Sequence, residues 1–370
     1  MQLNIAVLAG DGIGPEVTNE AIKVLNAVAA RFGHDFTYSH ALLGACAIDK
    51  YNEPLPQDTL NTCLAADAVL LGAVGHPKYD NNPDAPVRPE QGLLAIRKAL
   101  NLFANIRPIT IYNKLIPHSP LKADRIAGVD ISIYRELTGG IYFGQKSLSE
   151  DKTVASDLCS YSVQEIEQIA HMAFKAAQNR RKKVTLVDKA NVLETSRLWR
   201  RVVTQISGEY PDVALDFLFV DNAAMQLILN PKQFDVMLTE NMFGDILSDE
   251  ASVIGGSIGL AASASVGDKY SLFEPIHGSY PAATGKGIAN PVASILSAAL
   301  LLEHFGLYTE GAAIKEAVTT SIEQDYCTTD INPDSTYSTS DVGSYIERLV
   351  QGNEAFTNTA NVSIGKSTII

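Results

Sequence analysis

Two periodicities divide the chain. Short, nearly continuous apolar runs at residues 3–9 (LNIAVLA), 68–71, 184–187, 213–220 and 234–238 read as strands, the first of them buried. Elsewhere apolar residues recur three and four apart, as Ile166, Ile169, Ala170 and Ala173 do within 161–180, and such stretches read as helices. The same pattern predicts a helix from the glycine turn at 10–14 to about residue 32, a helix leading into a strand over 90–108, and helices over 293–305 and 310–322. DISIYRE at 130–136 is strand-like and runs into a Gly-Gly turn, whereas TENMFGDILSD at 239–249 is helical. The segment GGSIGLAASASVG reads as a tightly packed hinge, LFEPIHGSYPAATGKGIANP as a loop, and the polar tail beyond residue 353 as loosely packed. Strands alternating with helices predict an α/β architecture.

Composition narrows this picture. At 370 residues the chain has room for two or three domains, and 46% hydrophobic with 19% charged residues suits a folded enzyme and not a disordered chain. A net charge of -13 opposes broad nucleic-acid binding, so the RRKK cluster at 180–183 reads as cations complementing a helix C-terminus. Cys46, Cys63, Cys159 and Cys327 form no CxxC pair and fit a reducing cytoplasm. No basic segment precedes the first apolar run, and no run reaches membrane-spanning length, so neither a signal peptide nor a membrane span is expected.

The candidate chemistry lies at strand ends. The 239–249 helix sets Asp245 and Asp249 four residues apart on one face. Like charges so placed repel unless a cation, a basic partner or water offsets them; a divalent metal and a solvated acidic face are both open readings. Lys189 and Asp221 follow the two preceding strands, and an acid or base at three successive strand ends exceeds what helix capping explains. Leu93, Leu94 and Arg97 fall on successive helical turns, Arg107 opens the next strand and Arg135 lies in 130–136. Arginine is the planar partner of carboxylates, though each of these alone also reads as a surface residue. Tyr142 offers a phenol as a proton donor or as filling for a sheet face. Gly10, Gly12 and Gly14 lack the third glycine of the dinucleotide fingerprint, and a tight structural turn explains them equally well. The later Gly/Pro loop, with His277 and Lys286, can lie along a dinucleotide with its amides exposed.

In order, GDGIGPEV, LLAIRKALNLFANIRP, RELTGGIYFG, DKANVLETSRLWR, TENMFGDILSDEAS and HGSYPAATGKGIANP resemble the motifs of the isocitrate/isopropylmalate family of metal-dependent β-decarboxylating dehydrogenases. The likeness runs over about residues 5–330, and six ordered motifs are far more specific than any one. It implies an open, two-domain α/β fold that is not a Rossmann fold, with 1–101 and 256–370 in the first domain and 102–255 in the second. Arg97, Arg107 and Arg135 match the arginines that hold the malate carboxylates. Asp221, Asp245 and Asp249 match the ligands of Mg²⁺ or Mn²⁺, Lys189 the general base and Tyr142 the residue that protonates the product enol. Asp221 and Lys189 are implied to reach in from the other subunit of a homodimer. Glu90, Leu93 and Leu94 match the substrate-selecting positions, and the leucine pair suits an isopropyl branch on the malate, as in leucine synthesis. His277, Gly278, Ser279, Gly285, Lys286, Gly287, Asn290 and Asp330 match the segment that binds NAD.

Two features depart from the family pattern. Ala282 stands where an aspartate usually holds the adenosine ribose, and the polar tail has no counterpart; Asp330 would still repel a 2'-phosphate, which favours NAD over NADP. Homoisocitrate or tartrate enzymes would share the arginines and aspartates. An inert metal- or nucleotide-binding protein would lack at least one of Lys189, Tyr142 and the three aspartates, and none is missing.

Overall fold

The computed structural model describes residues 1–82 and 84–352, so the polar tail lies outside the described residues. The chain begins with β1 (Gln2–Gly10), α1 (Gly14–Phe32), β2 (Asp35–His40), α2 (Ala45–Tyr51), α3 (Gln57–Ala65), β3 (Ala68–Ala73), α4 (Pro77–Asp80) and α5 (Pro89–Ala99). Its middle forms β4 (Ala104–Thr110), α6 (Ala123–Ile126), β5 (Asp130–Glu136), the short β6 (Lys146–Leu148) and β7 (Ala155–Asp157), and α7 (Val163–Gln178). Then come β8 (Lys183–Asp188), α8 (Glu194–Ser207), β9 (Ala214–Phe219), α9 (Val220–Leu229), β10 (Val236–Thr239) and α10 (Asn241–Gly255). β11 (Ala262–Val266), β12 (Ser271–Pro275), α11 (Val292–His304), α12 (Tyr308–Glu323) and α13 (Thr339–Gln351) follow.

Among the described residues ten strands pair into one open sheet, in the order β2-β1-β3-β12-β11-β4-β5-β10-β8-β9. The pairings are parallel at both flanks, whereas β12–β11, β11–β4 and β4–β5 are antiparallel. A mixed sheet flanked by helices is the α/β architecture expected, and it is not the parallel Rossmann arrangement. Every residue of β3 and β10 is buried, which is why both read as unbroken apolar runs. The two strand groups drawn from 2–73 with 262–275 and from 104–239 meet at the β11–β4 pairing.

Helix ends follow their local chemistry. Ser162 and Glu165 form a reciprocal capping box at the start of α7, and α10 stops at Gly256, whose φ of 100° is a left-handed conformation open to glycine at little cost. Among the described residues no helix is long and apolar enough to cross a membrane.

Four expectations need correction. The segment read as a hinge and the start of the loop after it are central strands: all five residues of β11 and all five of β12 are buried. The strand signal is weak because β11 (ASASV) is mostly alanine and serine and β12 (SLFEP) carries a glutamate and a proline, so neither shows the run of β-branched and aromatic residues that usually announces a strand. β2 escaped notice because DFTYSH, on the sheet edge, is mostly polar. α13 was not anticipated at all. The RRKK cluster is neutralised by carboxylates and not chiefly by a helix dipole: Arg180 bridges Asp130 and Asp235 at 2.7 and 2.8 Å, Lys182 meets Asp212 at 3.2 Å and Lys183 meets Asp216 at 2.7 Å.

Candidate active site

Three arginines from α5, β4 and β5 converge on one cavity of about 400 Å³. Arg97, Arg107 and Arg135 are only 6%, 6% and 2% exposed, so each cation must be met by protein groups. The Arg135 Nε and Nη2 donate to Asn241 Oδ1 at 3.1 and 2.9 Å, while its Nη1 donates to Asp245. Arg107 Nε donates to Asn105 Oδ1 at 2.7 Å and its Nη1 to Ser248 Oγ at 2.6 Å. Arg107 also lies 3.5 Å from Asp245 and 3.3 Å from Asp249. Arg97 Nη2 donates to Glu274 Oε1 at 2.9 Å, and its Nε is buried without a partner.

The repulsion between the aspartates within α10 is therefore offset in part by guanidinium groups. Burial pushes Asp245 up, but Arg135, Arg107 and the Tyr142 hydroxyl outweigh it and hold the carboxyl below its ordinary range. Asp249 goes the other way, because burial and the Asp245 charge outweigh Arg107. The basic partner, one of the offsets open to the pair, is present within the chain. Tyr142 donates to Asp245 Oδ2 at 2.8 Å, and burial together with that bond pushes its phenol up to about 12. A phenol so placed keeps its proton at neutral pH.

Glu90, Leu93, Leu94, His277 and Gly278 line the same cavity. Leu93 is buried and Leu94 half-buried, giving the cavity an apolar wall beside its cationic floor. Burial raises the Glu90 carboxyl and lowers the His277 imidazole. Glycine 244 makes the floor possible, since a Cβ there would lie 2.7 Å from both Cβ and Cγ of Arg135. Gly244→Ala is expected to cost about 1–3 kcal/mol of stability by overpacking and to raise the substrate KM by displacing Arg135. A urea titration with steady-state kinetics checks this, and unchanged values of both would refute it.

The family model for isocitrate/isopropylmalate dehydrogenases matches residues 4–346. The chain belongs to the isocitrate/isopropylmalate dehydrogenase family. It is 52% identical over 348 residues to a 3-isopropylmalate dehydrogenase of Bacteroides fragilis, covering 94% of this chain and 98% of that one. The Geobacillus kaustophilus 3-isopropylmalate dehydrogenase is 55% identical over 334 residues, with 89% and 90% covered. Among solved structures, isocitrate dehydrogenase from Methylococcus capsulatus superposes with a TM-score of 0.84 at 34% identity, covering 94% of this chain and 99% of the other. A β-decarboxylating dehydrogenase from Thermococcus kodakarensis gives 0.77 at 35% identity over 95% and 96%.

Within this isocitrate/isopropylmalate dehydrogenase chain, Lys189 and Asp221 stand away from the cavity, and Asp249, though 3.3 Å from Arg107, is not part of its lining. Lys189 Nζ bonds Asp221 Oδ2 at 2.8 Å, and that bond holds the Asp221 carboxyl low. Asp221 is mostly exposed, and neither residue lines the cavity. Among the described residues no three His, Cys, Asp or Glu groups come together in one chain to hold a metal ion. Asp245 and Asp249 supply hard oxygen donors suited to a divalent cation.

The cofactor positions are more engaged than the loop reading allows. The Gly285 and Gly287 amides, expected to be exposed, donate to Glu16. Asp330 accepts from Ser257 Oγ at 2.6 Å and Asn290 Nδ2 at 3.0 Å. The Ser279 carbonyl accepts from the Ile13 amide, whereas Lys286 is exposed. Sequence reasoning overlooked Asn105, Asn241, Ser248 and Glu274. Three of these lie inside the motifs named above, as neutral neighbours of charged residues whose type alone signals no site, and Glu274 lies on β12.

Proposed function

We propose that this protein oxidises 3-isopropylmalate at its 2-hydroxyl with NAD and releases CO₂ to give 4-methyl-2-oxopentanoate, a step of leucine biosynthesis. The observation that carries this reading is the single cavity that joins three buried arginines to Leu93 and Leu94. Guanidinium groups match the two carboxylates of a malate, to one of which the unpartnered Arg97 Nε–H would donate, and the leucines match its apolar branch.

Asp245 and Asp249, with Asp221 from a second copy, would hold Mg²⁺ or Mn²⁺. Bound there, the cation supplies Lewis acidity at the hydroxyl and at the developing enolate, and the dinucleotide supplies the two-electron acceptor. Lys189 of the second copy takes the hydroxyl proton. After CO₂ leaves with its bonding electrons retained on carbon, Tyr142, kept protonated by burial and by Asp245, returns a proton to that carbon. His277, Gly278 and the 279–290 loop receive the dinucleotide. A homodimer is supported by the exposed apolar side chains of two touching helices, Met225, Ile228 and Leu229 on α9 with Ile246 and Val253 on α10. The division into 1–101 with 256–370 and 102–255 belongs to the same reading, with the cavity between the two strand groups.

NADH absorbance on mixing the protein with NAD, Mg²⁺ and 3-isopropylmalate tests the reaction. Turnover of isocitrate, homoisocitrate or tartrate in preference to 3-isopropylmalate would overturn the substrate. Leu94→Ala is expected to lower kcat/KM for 3-isopropylmalate by about 1–3 kcal/mol of lost pocket contact. Leu94 is the cleaner probe, because Leu93 also belongs to a buried core cluster and its truncation would cost about 2–5 kcal/mol of stability. Unchanged specificity in Leu94→Ala would remove the leucine wall from the argument.

A further inference from the structure

The GDGIGPEV turn is locked to the 279–290 loop, and the catalytic reading makes no use of the lock. Glu16, in the first turn of α1, accepts from the Gly285 amide at 2.5 Å with one carboxylate oxygen and from the Gly287 amide at 3.2 Å with the other. Both glycines are left-handed, with φ of 73° and 61°, which turns alternate amides toward a single anion. Beside this contact the Ile13 amide donates to the Ser279 carbonyl at 2.8 Å. Gly12 passes so close that a Cβ would sit 2.0 Å from that carbonyl oxygen. Ile13, Val17, Ala283 and Ala289 form a small buried cluster of their own.

The physics assigns the contacts different jobs. Two alanines against Ile13 and Val17 hold the loop near α1 but leave its amides free to turn, because apolar contact is non-directional. Charge-assisted hydrogen bonds are directional, and the N-terminal end of α1 favours a carboxylate in its first turn. The helix end that a Rossmann turn would offer to phosphate thus presents an acid to a second glycine loop.

We propose that Glu16 is a positioning residue for the cofactor: its carboxylate holds the 279–290 loop in the shape that receives the dinucleotide. This rests on the reading that the loop binds NAD. Amide hydrogen exchange of the 279–290 segment in the ligand-free protein, with steady-state kinetics, tests both in wild type, Glu16→Ala and Glu16→Gln.

In Glu16→Ala, exchange at Gly285 and Gly287 should accelerate about tenfold or more, the loss expected for charge-assisted hydrogen bonds. The KM for NAD should rise by a similar factor, while kcat and the KM for 3-isopropylmalate stay within about twofold. Glu16→Gln, which keeps one acceptor oxygen, should fall between and carries the test if the alanine variant does not fold. Unchanged exchange in both variants overturns the lock. Faster exchange with an unchanged KM for NAD leaves the lock standing but overturns the cofactor role of the loop, and with it the proposal. A parallel loss in kcat and in both KM values would show general damage and overturn a positioning role.

Discussion

Lys189→Ala and Asp245→Ala proteins, each inactive alone, are expected to recover about a quarter of wild-type activity when mixed in equal amounts, dissociated and reassociated. Within one chain Lys189 and Asp221 pair with each other away from the cavity that holds Arg97, Arg107, Arg135, Tyr142 and Asp245. If the site is completed across a dimer, a mixed dimer has one site with both defects and one with neither. Random reassociation makes about half of the dimers mixed, and each has one intact site of two. Size-exclusion chromatography coupled to light scattering would establish the assembly, and native mass spectrometry would show that mixed dimers form. No recovered activity with mixed dimers present would mean that Lys189 and Asp245 do not meet across an interface.

The second large effect concerns Asp245→Asn, which is expected to lower turnover by at least about a thousandfold, the several kcal/mol of charge stabilisation that a metal ligand commands. It should also weaken metal-induced stabilisation, which for wild type is about 2.7 kcal/mol at a hundredfold excess of Mg²⁺ or Mn²⁺ over Kd. The stability of the metal-free variant separates two accounts of the aspartate pair. On sequence grounds alone, neutralising one of two repelling carboxylates should leave the protein no less stable. In the fold the carboxylate serves Arg135, Arg107 and Tyr142, and only a third of it is exposed. An amide leaves two buried guanidinium groups short of a counter-charge, so metal-free Asp245→Asn should be less stable by about 1.5–3 kcal/mol. Urea titrations and melting curves with and without metal measure both effects. Near-normal turnover with the full metal shift would reduce the pair to an acidic helix face, and an unchanged metal-free stability would show that the arginines do not depend on it.

Much of this protein is written in local pattern. The buried strands β1, β3, β8 and β10 and the helices α1, α5, α7, α11 and α12 follow from runs and periods a few residues long, because burial on two faces or on one stripe leaves a local signature. The site residue types are equally local: arginines, aspartates, a lysine and a tyrosine at strand ends or on a helix face, in motifs ordered as in the family. β11 and β12 carried no such signature, since β11 is mostly alanine and serine and β12 holds a glutamate and a proline, while both are buried by strands distant in the chain.

Partnership was decided by tertiary structure alone. Nothing in residues 239–249 says that Arg107 and Arg135, more than a hundred positions earlier, neutralise Asp245, and the sign of a predicted stability change turns on that. Nor does GDGIGPEV announce that Glu16 caps two amides some 270 residues on. Charge and hydrogen-bond energies depend on the distance and burial of the partner, and sequence specifies those only through the completed fold.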